Sequence, residues 1–189
     1  HYMVGSHRDI SERKLMESYI HQVAFHDNAS GMANRAHLLL NINELIESKS
    51  PHASIFYIQI EEIKSYLNQY GSELVDGLVE KLLQTLSHLP SPNCTVYRVH
   101  DDDFAILVLD EVPLEDLQVY AKTIKRNYHD AVVEKGQYLG SNISIGLYPC
   151  VDPEHSAEEI VRKAARTCQY ASEKNKDRIA VYSQKTQYA

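Results

Sequence analysis

Three consecutive carboxylates, Asp101, Asp102 and Asp103, stand in the stretch CTVYRVHDDDFAILVLD, residues 94–110. Clustered acids of this kind supply hard oxygen ligands for a divalent cation, or simply the local hydrogen bonding of a solvated turn. The flanks fix the local structure before the chemistry. Val96, Tyr97 and Val99 on one side and Phe104 to Leu109 on the other are β-branched, aromatic or aliphatic, and they bracket a short polar connection. That pattern predicts a β-hairpin with the acids at its tip. Both readings of the acids, metal site and solvated turn, stay open at this point.

The chain has 189 residues, enough for one full-sized domain with a core of its own. Its 43% hydrophobic and 24% charged residues are ordinary for a globular protein. A formal net charge of -7 argues against a nucleic-acid-binding surface. Cys94, Cys150 and Cys168 lack metal-ligand spacing, and their odd number fits reduced thiols and a cytoplasmic setting. No apolar run has the length of a membrane span, so membrane contact by this domain is not expected, although it fits the cytoplasmic part of a membrane-anchored protein. The opening residues 1–7 read as an expression scar.

Around the hairpin, apolar spacing predicts the elements that must hold it. Leu15, Tyr19, Ile20 and Val23 mark a lead-in helix over 8–25. Asp27, Asn28, Ser30 and Gly31 form a loop entering a second helix, with Met32, Ala36, Leu39, Ile42 and Ile46 on its inner side. The nearly continuous run ASIFYIQI predicts a central strand covered on both faces. Leu74, Val75, Leu78, Val79, Leu82 and Leu86 mark a helix, as do Leu117, Tyr120, Ala121, Ile124 and Tyr128. SNISIGLYP reads as a strand, the segment after Ser156 as a helix with Glu159 completing a capping box, and RIAVYS as a last strand. One hairpin among helix-connected strands predicts an α/β (α+β) domain with a mixed central sheet of about five strands wrapped by helices.

The order of these words resembles a GGDEF domain, the diguanylate cyclase module of bacterial cyclic di-GMP signalling, from about Val23 to Tyr182. HDNASGMANR is similar to HDxLTGLxNR through His26, Asp27, Gly31, Asn34 and Arg35. IQIEEIKSYLNQYGSELVD resembles DIDxFKxINDxYGHxxGD through Ile60, Lys64, Tyr70, Gly71 and Asp76. RVHDDDF stands against RxGGDEF, and SNISIGL against the TVSIGI strand. The resemblance places the domain over 26–183, with 184–189 opening a C-terminal linker like the junction to an EAL phosphodiesterase domain. It implies neighbouring EAL and sensor domains in a longer chain, and possible homodimerisation.

The resemblance also implies a site in which two metal ions meet the triphosphate of GTP, held by the first Asp of DID, a neighbouring backbone carbonyl and the acid at the third signature place. Gln59 takes that first Asp's position, and His100 and Asp101 take those of the two glycines. Asp102 is the remaining metal position, Asp103 the degenerate catalytic position, and Phe104 closes the signature. Guanine recognition keeps Asp76 but has Leu67 where the family has asparagine. Phosphate contact keeps Lys176 in place of arginine and loses a lysine to Ser172. The inhibitory RxxD falls on residues 91–94, SPNC, so no cyclic di-GMP is expected there. The resulting expectation is a degenerate, catalytically silent GGDEF domain acting as a regulatory module. GTP binding would be weak or absent, and no cofactor is needed beyond Mg²⁺ accompanying any residual GTP. The alternative is a residual cyclase or a GTP-sensing domain that controls an adjacent EAL domain.

Overall fold

The computed structural model describes residues 12–17, 32–49, 52–89, 93–134, 136 and 138–183. Residues 12–17 are helical, as the lead-in helix predicts, and Leu15 is exposed. The other residues of the predicted lead-in helix, together with His26, Asp27, Gly31 and residues 1–7 and 184–189, lie outside the described residues.

The strands are β1 (Ala33–Asn34), β2 (Ser54–Ile60), β3 (Cys94–Arg98), β4 (Asp103–Val108), β5 (Ile143–Tyr148) and β6 (Ile179–Val181). The helices are α1 (Arg35–Glu47), α2 (Ile63–Tyr70), α3 (Ser72–Leu86), α4 (Leu114–Val133) and α5 (Ala157–Lys174). The sheet runs β1-β3-β4-β2-β5-β6. β2 pairs antiparallel with β4 and β5, whereas β1–β3 and β5–β6 are parallel, so the sheet is mixed as predicted. It has six strands because Ala33–Asn34, where the sequence predicts no strand, adds a short edge beside Tyr97 and Arg98.

β2 is central because its apolar residues supply both faces. Phe56 and Ile58 join Phe104, Ile106, Ile145 and Leu147 in one core, covered by Leu78 and Leu82 of α3 and Leu117, Ile124 and Tyr128 of α4. Ile55 and Tyr57 join Tyr97, Ala105 and Leu107 in the other, covered by Leu38 and Ile42 of α1 and Ile160, Ala164 and Cys168 of α5. The inner side of α1 keeps the predicted Ile42, with Leu39 and Ile46 packed against the same core, but differs from the predicted one at its start. Ala36 is exposed and Met32 precedes the helix, while Leu38 and Ile42 are fully buried. Asn34 sets the phase by capping, its side chain accepting from the His37 N–H at 3.1 Å.

α5 lies against the β5 strand because Gly146 lets it. A Cβ at this position would overlap the backbone nitrogen of Cys168. The predicted cap of α5 is present, with Ser156 Oγ accepting from the Glu159 N–H at 3.2 Å. α2, unread in the sequence, follows Glu62 in the left-handed region (φ 59°) and is separated from α3 by Gly71 at φ 85°.

Candidate functional site

The hairpin tip is a tight turn. Val99 N–H donates to the Asp103 carbonyl at 2.9 Å, and Asp103 N–H donates back to the His100 carbonyl at 3.3 Å. The Arg98 guanidinium lies 5.8 Å from the Phe104 ring centre and donates to the Asp101 carbonyl at 2.8 Å. Only part of the predicted tip is solvated. His100 and Asp101 are exposed, Asp102 is half-buried, and Asp103 is the first residue of β4 with 7% of its surface exposed. The turn ends at Asp103, so strand alternation sends its side chain into the sheet instead of out with its neighbours.

Asp103 pairs in register with Gln59, and Tyr57 with Ala105. Side chains opposite one another on a strand pair share a face, and diagonal positions lie within reach of an aromatic ring. The Tyr57 hydroxyl accordingly donates to Asp103 Oδ2 at 2.5 Å. Burial pushes the Asp103 carboxyl above the usual carboxylate range, and the Asp102 charge pushes the same way, while the hydrogen bonds from Tyr57 and Gln59 oppose them. The Tyr57 hydroxyl is raised by burial first and then by its bond to Asp103. On the other side of Gln59, Ser144 of β5 is its register partner. The Cys168 thiol, pushed up to about 12 chiefly by burial, donates to the Ser144 carbonyl at 3.3 Å.

Above this buried polar patch a cleft of about 310 Å³ opens between β2, the turn into α2, the hairpin tip and α5. Its lining includes the carboxylates Glu61, Glu62 and Asp102, the amides of Gln59 and Gln169, the hydroxyls of Ser65 and Ser144, and one cation, Lys64. Glu62 accepts from the Tyr66 hydroxyl at 3.1 Å, and Glu61 lies 3.7 Å from the Arg178 guanidinium. Behind it, the Lys125 ammonium donates to the Asp177 carbonyl at 2.5 Å, and burial lowers its pKa.

Of the residues singled out in the sequence, Gln59, Ile60, Lys64 and Asp102 meet in this cleft. Asp103 is beside it but turned inward, and Asp76 and Lys176 are exposed positions that do not line it. Leu67 lies on the solvent side of α2 with 45% exposure. Among the described residues no three His, Cys, Asp or Glu side chains gather as they would around a metal ion. The sequence reading missed Tyr57, Ser144 and Gln169. Ser144 carried a usable signal, a polar residue inside an apolar strand. Tyr57 carried a weaker one, a hydroxyl two residues before Gln59 on the same strand face. Gln169 carried none.

The family model described as "Diguanylate cyclase, GGDEF domain" matches residues 24–178. Signaling protein YkoW of Bacillus subtilis is 22% identical over 182 residues, which cover 93% of this chain and 22% of YkoW. The chain thus spans about a fifth of that relative's length. The coiled coil and GGDEF domain of DgcB from Caulobacter crescentus, in complex with c-di-GMP, superposes with a TM-score of 0.74 at 15% identity, covering 95% of this chain and 97% of that one. The S helix-GGDEF-EAL portion of LapD from Vibrio cholerae, bound to c-di-GMP, superposes with a TM-score of 0.69 at 19% identity, covering 94% of this chain and 41% of that one. The six-stranded mixed sheet, the hairpin across the cleft and the match over most of the sequence agree: the chain belongs to the GGDEF family of diguanylate cyclase domains.

Proposed function

We propose that this GGDEF domain is catalytically silent and works as a regulatory or interaction module in cyclic di-GMP signalling, acting on a neighbouring domain of a longer chain or on a second copy of itself. The observation that carries the reading is the donor set of the cleft. Gln59 offers a neutral oxygen where the resemblance calls for a carboxylate, and of the three hairpin aspartates only Asp102 reaches the cleft lining. Mg²⁺ requires near-octahedral oxygen ligation at roughly 2.0–2.1 Å, and charge neutralisation of a triphosphate is most of what such a site does for the reaction. One signature carboxylate beside an amide does not fit that demand, and the two other carboxylates of the lining are engaged elsewhere, Glu61 facing the Arg178 guanidinium and Glu62 the Tyr66 hydroxyl. Asp101, standing where a glycine would admit phosphate, adds negative charge at the entrance.

The likeness to LapD, whose GGDEF segment precedes an EAL domain, supports an EAL neighbour as the partner. The direct test incubates the protein with GTP and Mg²⁺ or Mn²⁺ and separates the products by chromatography. No cyclic di-GMP is expected. Product that disappears in Asp102→Ala would overturn the proposal.

A further inference from the structure

The ring of His155 meets partners that ask for opposite protonation states. It sits in the loop between β5 and α5, one residue ahead of the Ser156 cap. Lys163 Nζ lies 3.0 Å from its Nε2, within hydrogen-bond distance. An ammonium has donors and no acceptor, so this contact requires a bare lone pair on Nε2 and leaves the proton of the neutral ring on Nδ1. Nδ1 in turn faces Glu159 Oε2 at 3.5 Å. Asp152 Oδ2, however, stands 3.6 Å from the same Nε2 and favours a proton there. A tight turn holds that carboxylate in place, with the Glu154 N–H donating to Asp152 Oδ1 at 2.9 Å and the His155 N–H to the Asp152 carbonyl at 3.1 Å. The ring is thus faced by Asp152 from its own loop and by Glu159 and Lys163 from α5, with Tyr182 after β6 and Tyr148 of β5 beyond Lys163.

Lys163 links this ring to the end of the sheet. Its ammonium also lies 5.5 Å from the centre of the Tyr182 ring, within reach of a cation–π contact. Tyr182 follows β6 directly, donates its N–H to the Leu147 carbonyl at 2.7 Å and stacks on Tyr148 with 4.8 Å between ring centres. With Asp152 the two tyrosines line a cleft of about 330 Å³. Imidazole is the side chain whose charge changes between pH 5 and 8. When Nε2 takes up a proton, the Lys163 contact loses its lone pair and becomes a meeting of two cations, while Asp152 and Glu159 receive one N–H each. Both states are satisfied, which distinguishes a switch from a fixed contact. We propose that His155 is a proton-operated switch: neutral, it holds Lys163 as an acceptor; protonated, it turns to Asp152 and leaves Lys163 to Tyr182, so that proton uptake in the β5–α5 loop is felt where the chain leaves the sheet. The proposal goes beyond the silent-cleft reading and uses none of that cleft's residues. It gives the module a proton-sensitive input on the side that residues 184–189 follow.

The test is nitrogen-15 NMR of the imidazole rings between pH 5 and 8, with the His155 signals identified by their loss in His155→Gln. At pH 8 the unaltered protein is expected to carry its ring proton on Nδ1, with Nε2 at a pyridine-type shift. Lys163→Met keeps most of the aliphatic stem and removes the donor, so the proton is expected to move to Nε2, where Asp152 accepts it. The Tyr182 ring signals are expected to titrate with the His155 midpoint in the unaltered protein, and to lose that titration in both Lys163→Met and His155→Gln. A merely structural lysine would give neither the tautomer exchange nor the shared midpoint. A proton on Nε2 at pH 8 in the unaltered protein would overturn the proposal, as would Tyr182 signals that stay fixed while His155 titrates, or that titrate as before in Lys163→Met. The tautomer and the shared midpoint are read in the unaltered protein, so they decide even if Lys163→Met fails to fold. Cyclic di-GMP production would refute the proposed function and leave this result standing, so the two failures are distinct.

Discussion

Tyr57 and Asp103 are joined across the β2–β4 pair by a hydroxyl-to-carboxylate hydrogen bond of 2.5 Å, where the apolar core of that face gives way to the polar side chains of Gln59 and Ser144. The bond turns a signature acid into part of the fold, and its energetics can be measured without reference to nucleotide.

Tyr57→Phe removes the donor and leaves a buried carboxyl short of a partner. An unsatisfied buried group costs about 1–3 kcal/mol. Chemical denaturation of Tyr57→Phe is expected to show a loss in that range at neutral pH. A neutral effect would mean that the hydroxyl and the carboxyl gain nothing from each other.

Asp103→Asn keeps an acceptor and removes the charge that burial opposes. The folded-state pKa of Asp103 is raised above its unfolded value, so its contribution to stability is complete below the unfolded pKa and is lost as pH rises through the folded one. Asp103→Asn is therefore expected to stabilise the protein at pH 7, with the gain shrinking as the solution is acidified and the native aspartate takes up its proton. Thermal melts across that range check the sign. A gain that grew in acid would contradict it.

The three thiols should differ in reactivity. Cys150 is exposed, Cys94 half-buried, and Cys168 fully buried with its pKa pushed up to about 12. The thiolate is the reacting form, so burial protects Cys168 both by access and by protonation. A thiol-reactive dye under native conditions is expected to label Cys150 first and Cys168 only on unfolding. Native labelling of Cys168 would mean that α5 lifts away from Gly146 and the β5 strand.

GTP meets Glu61, Glu62 and Asp102 against the single Lys64 of the cleft lining. Bringing a triphosphate there without well-held metal adds repulsion and removes hydration. The expected dissociation constant is weaker than ~100 μM, a binding free energy smaller than roughly 5.5 kcal/mol. Calorimetric titration in Mg²⁺ measures it directly. A low-micromolar value would move the function from an interaction module to a GTP sensor.

Local patterns in the sequence determined most of the architecture. The apolar run of β2 required a strand buried on both faces, the spacings of α3, α4 and α5 required one apolar side each, and Ser156 with Glu159 required a helix start. Four motif words in order named the family. What the tertiary structure alone decided was the fate of the three aspartates. In sequence Asp101, Asp102 and Asp103 are identical neighbours, but the turn closes between His100 and Asp103, and strand alternation starts there. One position of register separates a carboxylate in water from one at the cleft, and one more sends the third into the core. Tyr57 is distant from Asp103 along the chain, and only the pairing of β2 with β4 makes it the partner. Helix phase was limited in the same way on α1. Its apolar residues surround much of the helix, so periodicity found Ile42, but packing against α5 and the sheet, not periodicity, put Leu38 in the core and left Ala36 outside it.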